Sequence, residues 1–451
     1  MQFKISKELL EQIEKLIHQK NNQELETLLN DLHHADLAEI FDELEIEEAS
    51  YLFKILDSEK SAEILLELED QTREKILKGL SPKEIAEELD ELDTDDAADI
   101  IAELPDNKKE KVISELEDVE HAKDIVDLLR YDEDTAGGLM GKELVKVNEN
   151  WNVLTCVKEM RHQAENVTRV HSIYVVDDDN RLKGRLSLKD LLTTSTKTPI
   201  SEVYIKKVDS VRVNTPNVEV ARIMQKYDLE AIPVVDELGR LVGRITIDDV
   251  VDVIKEEADK DYQLAAGISQ DVEADDSIFV LTKARLPWLV LALFGGFISV
   301  HTLGLFEGAM AQHGKLFFFT PLIAAMAGNV GVQSSAIIVQ GLANNSISGS
   351  VFNRLIKEIS LSLLNGIILA ALLFLGSHFL LGYETKIGEI IGIALITVIV
   401  IASLIGTFVP LLLHKLNIDP ALATGPFITT SNDICGILIY FTIARLILGG
   451  F

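Results

Sequence analysis

The sequence predicts a multidomain protein: an all-α superhelical amino-terminal domain, a duplicated α/β domain, and an α-helical polytopic membrane domain with five spans. Three observations carry that expectation. The chain of 451 residues has a net charge of −31, yet residues from Leu281 onward hold only six acids against eight bases, so the acidity belongs to the first 280 residues. A 24-residue repeat runs through the first 130 residues, and a second repeat with an offset of 59 follows it.

Residues 1–130 are rich in Leu, Ile, Ala, Glu and Lys and poor in Gly, which favours helix throughout. Ala38-Glu39-Ile40 recurs as Ala62-Glu63-Ile64 and in part as Ala86-Glu87, with Leu44, Leu68 and Leu92 in step. Asp57, Ser81-Pro82 and Pro105-Asp106 are helix-start residues, because Ser and Asp cap and Pro suits the first turn. Helical pairs at a fixed period stack into a solenoid. Within it, Asp95 and Asp99 stand at i and i+4 on one face, where like charges repel. A bound cation would relieve the repulsion; a solvated surface is the alternative.

Residues 131–250 change character. Ile173-Tyr-Val-Val-Asp177 matches Ile232-Pro-Val-Val-Asp236, Arg181–Arg185 matches Arg240–Arg244, and Asp190 matches Asp249. This strand, acidic turn, strand and helix pattern resembles the cystathionine-β-synthase (CBS) domain, which occurs in pairs. The resemblance implies adenosine nucleotides such as ATP, or metal ions, as ligands. Ser187 with Asp190, and Thr246 with Asp249, have the spacing for holding a ribose and equally for capping the next helix. Residues 251–280 are expected to form a connecting helix. Asp249, Asp252 and Glu256 fall on one face of it, with Glu257 and Asp261 following.

From residue 281 the chain reads as a membrane domain, with spans expected near 286–305, 316–342, 357–381, 387–413 and 421–448. Lys283, Arg285, Arg354, Lys357 and Lys415 fall on one side under five spans. The positive-inside rule therefore puts the soluble part in the cytoplasm and the carboxyl terminus outside. The opening Met1–Ser6 has no basic start followed by an apolar run, so no cleavable signal is expected. Cys156 and Cys435 are too few and too far apart for a disulfide framework or a zinc site. The acidic surface excludes nucleic acid, whose phosphates attract Lys and Arg.

Residues 321–335 (Pro-Leu-Ile-Ala-Ala-Met-Ala-Gly-Asn-Val-Gly-Val-Gln-Ser-Ser) interrupt the second span with polar and small residues. Irregular backbone at membrane depth is tolerated only against protein or a wet cavity. Asp433 is the one carboxylate expected near the middle of a span, and an intramembrane charge is a functional hypothesis. Thr429 precedes it by one turn, and Pro426 is expected to open or bend the helix there. Gly328, Asn329, Gly331 and Gln333 are the expected facing wall, although small residues also pack helices in lipid. A carboxylate with oxygen donors around it suits a hydrated hard cation such as Mg2+. Two aspartates from a symmetric homodimer would share that charge.

Ala136-Gly-Gly-Leu-Met140, the 321–335 stretch and the 419–433 stretch (Asp-Pro-Ala-Leu-Ala-Thr-Gly-Pro-Phe-Ile-Thr-Thr-Ser-Asn-Asp) are similar to the MgtE-type magnesium channel family over essentially the whole chain. The resemblance implies a dimeric Mg2+ channel shut by a connecting "plug" helix when cytoplasmic Mg2+ binds. It puts the pore ligand at Asp433 and the regulatory acids at Asp95, Asp99, Asp228, Asp249, Asp252, Glu257 and Asp261. Val218 and Lys260 stand where the family can have an acid. Rival readings are a broader divalent-cation transporter taking Mn2+ or Co2+, a membrane-anchored CBS sensor without transport, and an anion channel. No nucleophile–base pair or phosphate-cradling loop points to an enzyme.

Overall fold

The computed structural model describes residues 5–164, 167, 169–274, 276–308, 313–344, 346–347, 350–423 and 425–448. The first four residues of the opening segment and Thr424 of the 419–433 stretch therefore lie outside it. The chain divides into two units, Met1–Lys255 and Glu256–Phe451.

In the first unit the 24-residue period becomes alternating short helices. They are α1 Lys7–Gln19, α2 Asn22–Leu29, α3 His34–Glu43, α4 Ile46–Phe53, α5 Ser58–Glu67, α6 Asp70–Gly79, α7 Pro82–Leu89, α8 Thr94–Glu103, α9 Asp106–Glu115 and α10 Val119–Leu128. The same face is buried at each repeat: Leu37, Ala38 and Phe41 on α3; Ser61, Ala62 and Leu65 on α5; Ile85, Ala86 and Leu89 on α7. Ser61 occupies an apolar slot because its hydroxyl oxygen lies within hydrogen-bond distance of both the Asp57 carbonyl (2.8 Å) and the Glu88 carboxyl group (2.6 Å). Burial of a polar group is tolerable when it is hydrogen-bonded in this way.

The helix starts follow the local chemistry. Asp57 accepts from the Lys60 amide at 3.0 Å. Ser81 and Glu84 form a reciprocal capping box with Pro82 at the first turn, and the Ser81 amide holds the Glu84 carboxyl down at about 2. Replacing Ser81 with Ala is expected to cost about 1 kcal/mol locally, read as roughly fivefold faster hydrogen exchange of the α7 amides. Unchanged exchange would remove the cap from the account.

The duplicated domain holds two three-stranded sheets. The first is β1 Val145–Asn148, β2 Ile173–Val176 and β3 Leu182–Leu186; the second is β4 Val211–Arg212, β5 Ala231–Val235 and β6 Leu241–Thr246. Each has a parallel first pair and an antiparallel hairpin, and both hairpins shift register at the equivalent step, Val175/Val176 and Val234/Val235. At the equivalent turn position, Asn180 and Gly239 both take positive φ (61° and 79°). The two hairpins join there: Leu182 N–H donates to the Gly239 carbonyl and Leu241 N–H to the Asn180 carbonyl. The helices of this region are α11 Val153–Gln163, α12 Leu188–Thr193, α13 Asn217–Tyr227 and α14 Ile247–Ala266, the last crossing from the first unit into the second.

The second unit is helical. Among the described residues five helices are long and apolar enough to cross a membrane. After α15 Ile278–Gly304 and a short α16 Gly314–Phe317 come α17 Thr320–Ala343, α18 Val351–Leu375, α19 Thr385–Lys415 and α20 Gly425–Leu448. The apolar core centres on α19, with Ile391, Ala394 and Ile399 fully buried. Two sequence expectations change. The second span is not interrupted: α17 runs unbroken through Gly328, Asn329 and Gly331, and Pro321 sits in its first turn, where a missing N–H costs nothing. Pro426 likewise begins α20 rather than bending it. The first and third spans also start earlier than expected, at Ile278 and Val351, because Lys283, Arg285, Arg354 and Lys357 interrupt the apolar run near those ends.

Candidate cation sites

In the first unit, the fold gathers carboxylates that are far apart in sequence. Asp95 and Asp96 lie in the first turn of α8, and Asp249 in the first turn of α14. Oxygens of Asp93, Asp95 and Glu143 come within 4.8 Å of one another. Burial, reinforced by the Asp249 charge, pushes Asp95 well above the usual carboxylate range and Asp96 to about 8. Burial lifts Asp249 to about 6 against the hydrogen bonds from Thr246, and raises Glu143 with help from Asp93. Carboxylates forced together out of water favour neutral forms or a counter-cation.

Local bonds explain how each acid is held. The Asp93 side chain does not cap α8; its carboxylate lies 3.5 Å from the Arg244 guanidinium. Glu143 takes over from a distance, accepting from the Thr94 amide (3.0 Å) and hydroxyl (3.1 Å). Arg244, nearly buried, also donates through Nε to the Glu143 carbonyl. Gly141 is needed beside them: a Cβ there would stand 2.7 Å from Asp95 Oδ2 and 3.0 Å from Glu143 Oε2. These hard oxygen donors fit Mg2+. Asp93, Asp96, Glu143 and Arg244 were absent from the sequence-derived set; only the tertiary fold brings them together.

The other expected regulatory acids are placed as follows. Asp99 lies on the exposed side of α8 and adds to the field at Asp96. Asp228 is the exposed left-handed C-cap of α13 (φ 54°), and Asp252 is exposed on α14. Glu257 and Asp261 belong to the second unit, where burial and the nearby Asp419 raise Asp261.

Both copies show the capping geometry at these positions. Asp249 Oδ2 accepts from both the amide (3.0 Å) and hydroxyl (2.6 Å) of Thr246, a helix-start lock. Ser187 accepts from the Lys189 amide at 3.1 Å and also lines a cleft of about 360 Å³ with His171, Ser172 and Arg185. Asp190 is half-buried in the first turn of α12.

In the second unit, Asp433 lies on α20 one turn after Thr429, and both face α17 at Gly328. A Cβ on Gly328 would stand 3.1 Å from Thr429 Cγ2 and 3.3 Å from Asp433 Oδ1. The bare Gly328 thus lets the two helices meet closely beside the carboxylate, where a Cβ would force Thr429 or Asp433 to shift by a few tenths of an ångström. Gly331 differs: the space where its Cβ would be is taken by the buried Asn432 amide, and its carbonyl crowds Gly406 of α19. Asn329 and Gln333 are exposed on α17.

The end of α14 is fastened close by. Gly425 (φ 49°) admits the Ala265 carbonyl, and Gly267 (φ 82°) lies against the Pro426 ring. The Gln263 amide is tied to Asp271 and Val272, and Ser269 to the Ala284 carbonyl in α15. The connecting helix therefore ends on the first turn of the helix that carries Asp433.

Comparison with known proteins agrees part by part. The MgtE intracellular N domain model matches residues 32–134, the CBS domain model 136–196 and 200–256, and the MgtE divalent cation transporter model 320–443. The magnesium transporter MgtE of Bacillus subtilis is 36% identical over 324 residues, 72% of each chain. That of Thermus thermophilus is 37% identical over 341 residues, 73% of this chain and 75% of that one. A solved cytosolic domain of the Mg2+ channel MgtE in complex with ATP is 37% identical, with a TM-score of 0.51 over 54% of this chain and 100% of that one. The chain belongs to the MgtE family of divalent cation transporters.

Proposed function

We propose that the protein carries Mg2+ across the membrane along a path at Asp433, and that cytoplasmic Mg2+ bound to the acidic region closes it. The observation that carries the reading is the Asp433 carboxylate against the bare backbone of Gly328 in a membrane unit of a cation transporter family. Mg2+ keeps most of its water, so one carboxylate and nearby carbonyl or amide oxygens suffice to hold it. Asn329, Gln333 and Thr429 complete the wall, Gly331 packs its helix against Gly406 and Asn432 behind it, and Pro426 begins the helix that presents the acid.

Residues 1–130 and the CBS pair, 131–250, act as the sensor; the 251–280 segment is the plug and 281–451 the pore. Asp95, Asp99, Asp228, Asp249, Asp252, Glu257 and Asp261 hold the regulatory ions, with Asp93, Asp96 and Glu143 added from the α8 cluster. At low Mg2+ their repulsion loosens the sensor. Bound ions favour the compact form by their differential affinity for it. The relative solved with ATP supports an adenosine nucleotide in the Ser187–Arg185 cleft. The protein works as a homodimer in the plasma membrane, amino-terminal domains in the cytoplasm and carboxyl terminus outside, as the basic loops indicate. It is a transporter and not an enzyme.

The test is flux through the full chain in liposomes. Mg2+ should enter well above empty liposomes, Mn2+ and Co2+ more slowly, and Cl− not at all. Equal rates for the three cations would make it the broader transporter that the family description allows. No cation flux would leave the sensor.

A further inference from the structure

The membrane unit contains a second acid that the transport path does not use. Glu358 lies on α18, whose Leu361, Leu364, Ile367, Ile368 and Leu372 are exposed as on a peripheral, lipid-facing helix. The span expected from sequence begins beside it; the helix itself begins at Val351, two turns before Glu358. Its carboxylate turns inward and accepts from the hydroxyl of Ser334 on α17 at 2.7 Å. Ser334 is buried. One turn further along α18, the Ser362 hydroxyl donates to the Glu358 carbonyl and also meets Ser403 of α19, which is fully buried. So α18 is fastened by polar links at i and i+4, one to α17 and one to α19.

Apolar faces give little orientation to helices in lipid, because lipid tails compete for the same contacts, whereas hydrogen bonds and small residues do give it. On α17 both devices lie on one side: Gly331 packs against Gly406 and Asn432, and Ser334 is held by Glu358 three residues later. Ser334 is six residues from Gly328, about 9 Å along the axis. Rotating a helix by about 20° moves a Cα on its 2.3 Å radius by roughly 0.8 Å. A misplacement near 1 Å is enough to spoil a tuned polar site.

We propose that Glu358 is a positioning residue for the cation path: through Ser334 it fixes the rotation of α17 and keeps the Gly328 backbone against Asp433. This rests on the transport reading. The link needs an acceptor at residue 358 and a donor at 334, and it does not need the charge.

The experiment measures Mg2+ flux against Mg2+ concentration for full-length Glu358→Gln, Glu358→Leu, Ser334→Ala and the Ser334→Ala/Glu358→Leu double variant in liposomes. Wild type and Asp433→Ala are the references. Glu358→Gln, which keeps an oxygen acceptor, should stay within about twofold of wild type. Glu358→Leu and Ser334→Ala should each lower maximal flux about tenfold, and the double variant no further than the worse single, since both break one link. Should Glu358→Leu fail to insert, Ser334→Ala removes only one oxygen and carries the comparison alone. Glu358→Gln as impaired as Glu358→Leu would overturn the proposal in favour of charge. Wild-type flux from Ser334→Ala would overturn it outright. Conducting Asp433→Ala would fault the transport path instead, so the two failures are distinguishable.

Discussion

Asp433→Ala is expected to abolish Mg2+ flux, at least about a hundredfold below wild type, while the protein still inserts and assembles. A hundredfold corresponds to about 2.7 kcal/mol of lost stabilisation. A divalent ion in a low-dielectric path depends on a nearby opposite charge far more than it does in water. The side chain is only half-buried and its loss opens no core cavity, so folding should survive. The neighbouring Asn432 is a different matter: its amide fills the space beside Gly331, and its removal would loosen α17, α19 and α20 together. Asp433→Asn separates charge from shape and should be equally inactive. Dye-reported uptake in liposomes, with size-exclusion chromatography as the assembly check, decides it. Flux retained in both variants would remove Asp433 from the path.

Much of the fold was legible because repeats report on packing. The 24-residue period recovers the same buried face on α3, α5 and α7, since each helix pair meets the next in the same way. The offset of 59 extends to details no pattern search sought, the paired register shifts and the paired left-handed turn at Asn180 and Gly239. The prolines were misread for a definite reason. Whether a proline breaks or begins a helix depends on its distance from the helix start, and hydropathy alone does not show that the helices start at Thr320 and Gly425. Gly328 and Gly331 looked alike in sequence. Only the helix packing shows one beside Asp433 and the other beside Asn432. Glu143 could not be found at all from spacing: it is a lone acid in a loop until Thr94 and Asp95 come next to it.

Replacing Asp95, Asp96 and Asp249 together with Asn is expected to uncouple the soluble unit from Mg2+. The three carboxylates titrate upward because burial and mutual repulsion disfavour their charged forms, Asp96 to about 8 and Asp249 to about 6. Each carboxyl has an ordinary value near 4 when apart from the others. A raised value means the gathered arrangement is undisturbed below about pH 4 and loses stability as pH rises through the shifted values. At pH 8 the wild type should therefore need a cation to hold α8 against the α14 start. As pH falls from 8 toward 6, protons should replace part of that need. Asn keeps the shape and removes the repulsion along with the ligands. The variant should be equally compact with and without Mg2+, with its midpoint lost or shifted at least tenfold, about 1.4 kcal/mol. The readout is tryptic cleavage at Arg130 and Lys142, on either side of the turn that leads from α10 to Glu143, normalised at each pH to a denatured control. A parallel flux recording asks whether high Mg2+ still closes the path. A variant that keeps the wild-type Mg2+ midpoint in both measurements would show that ions regulate elsewhere. Loss of the midpoint in cleavage but not in flux would assign the cluster to folding of the sensor and leave closure to Glu257 and Asp261 of the plug, with Asp419 near Asp261.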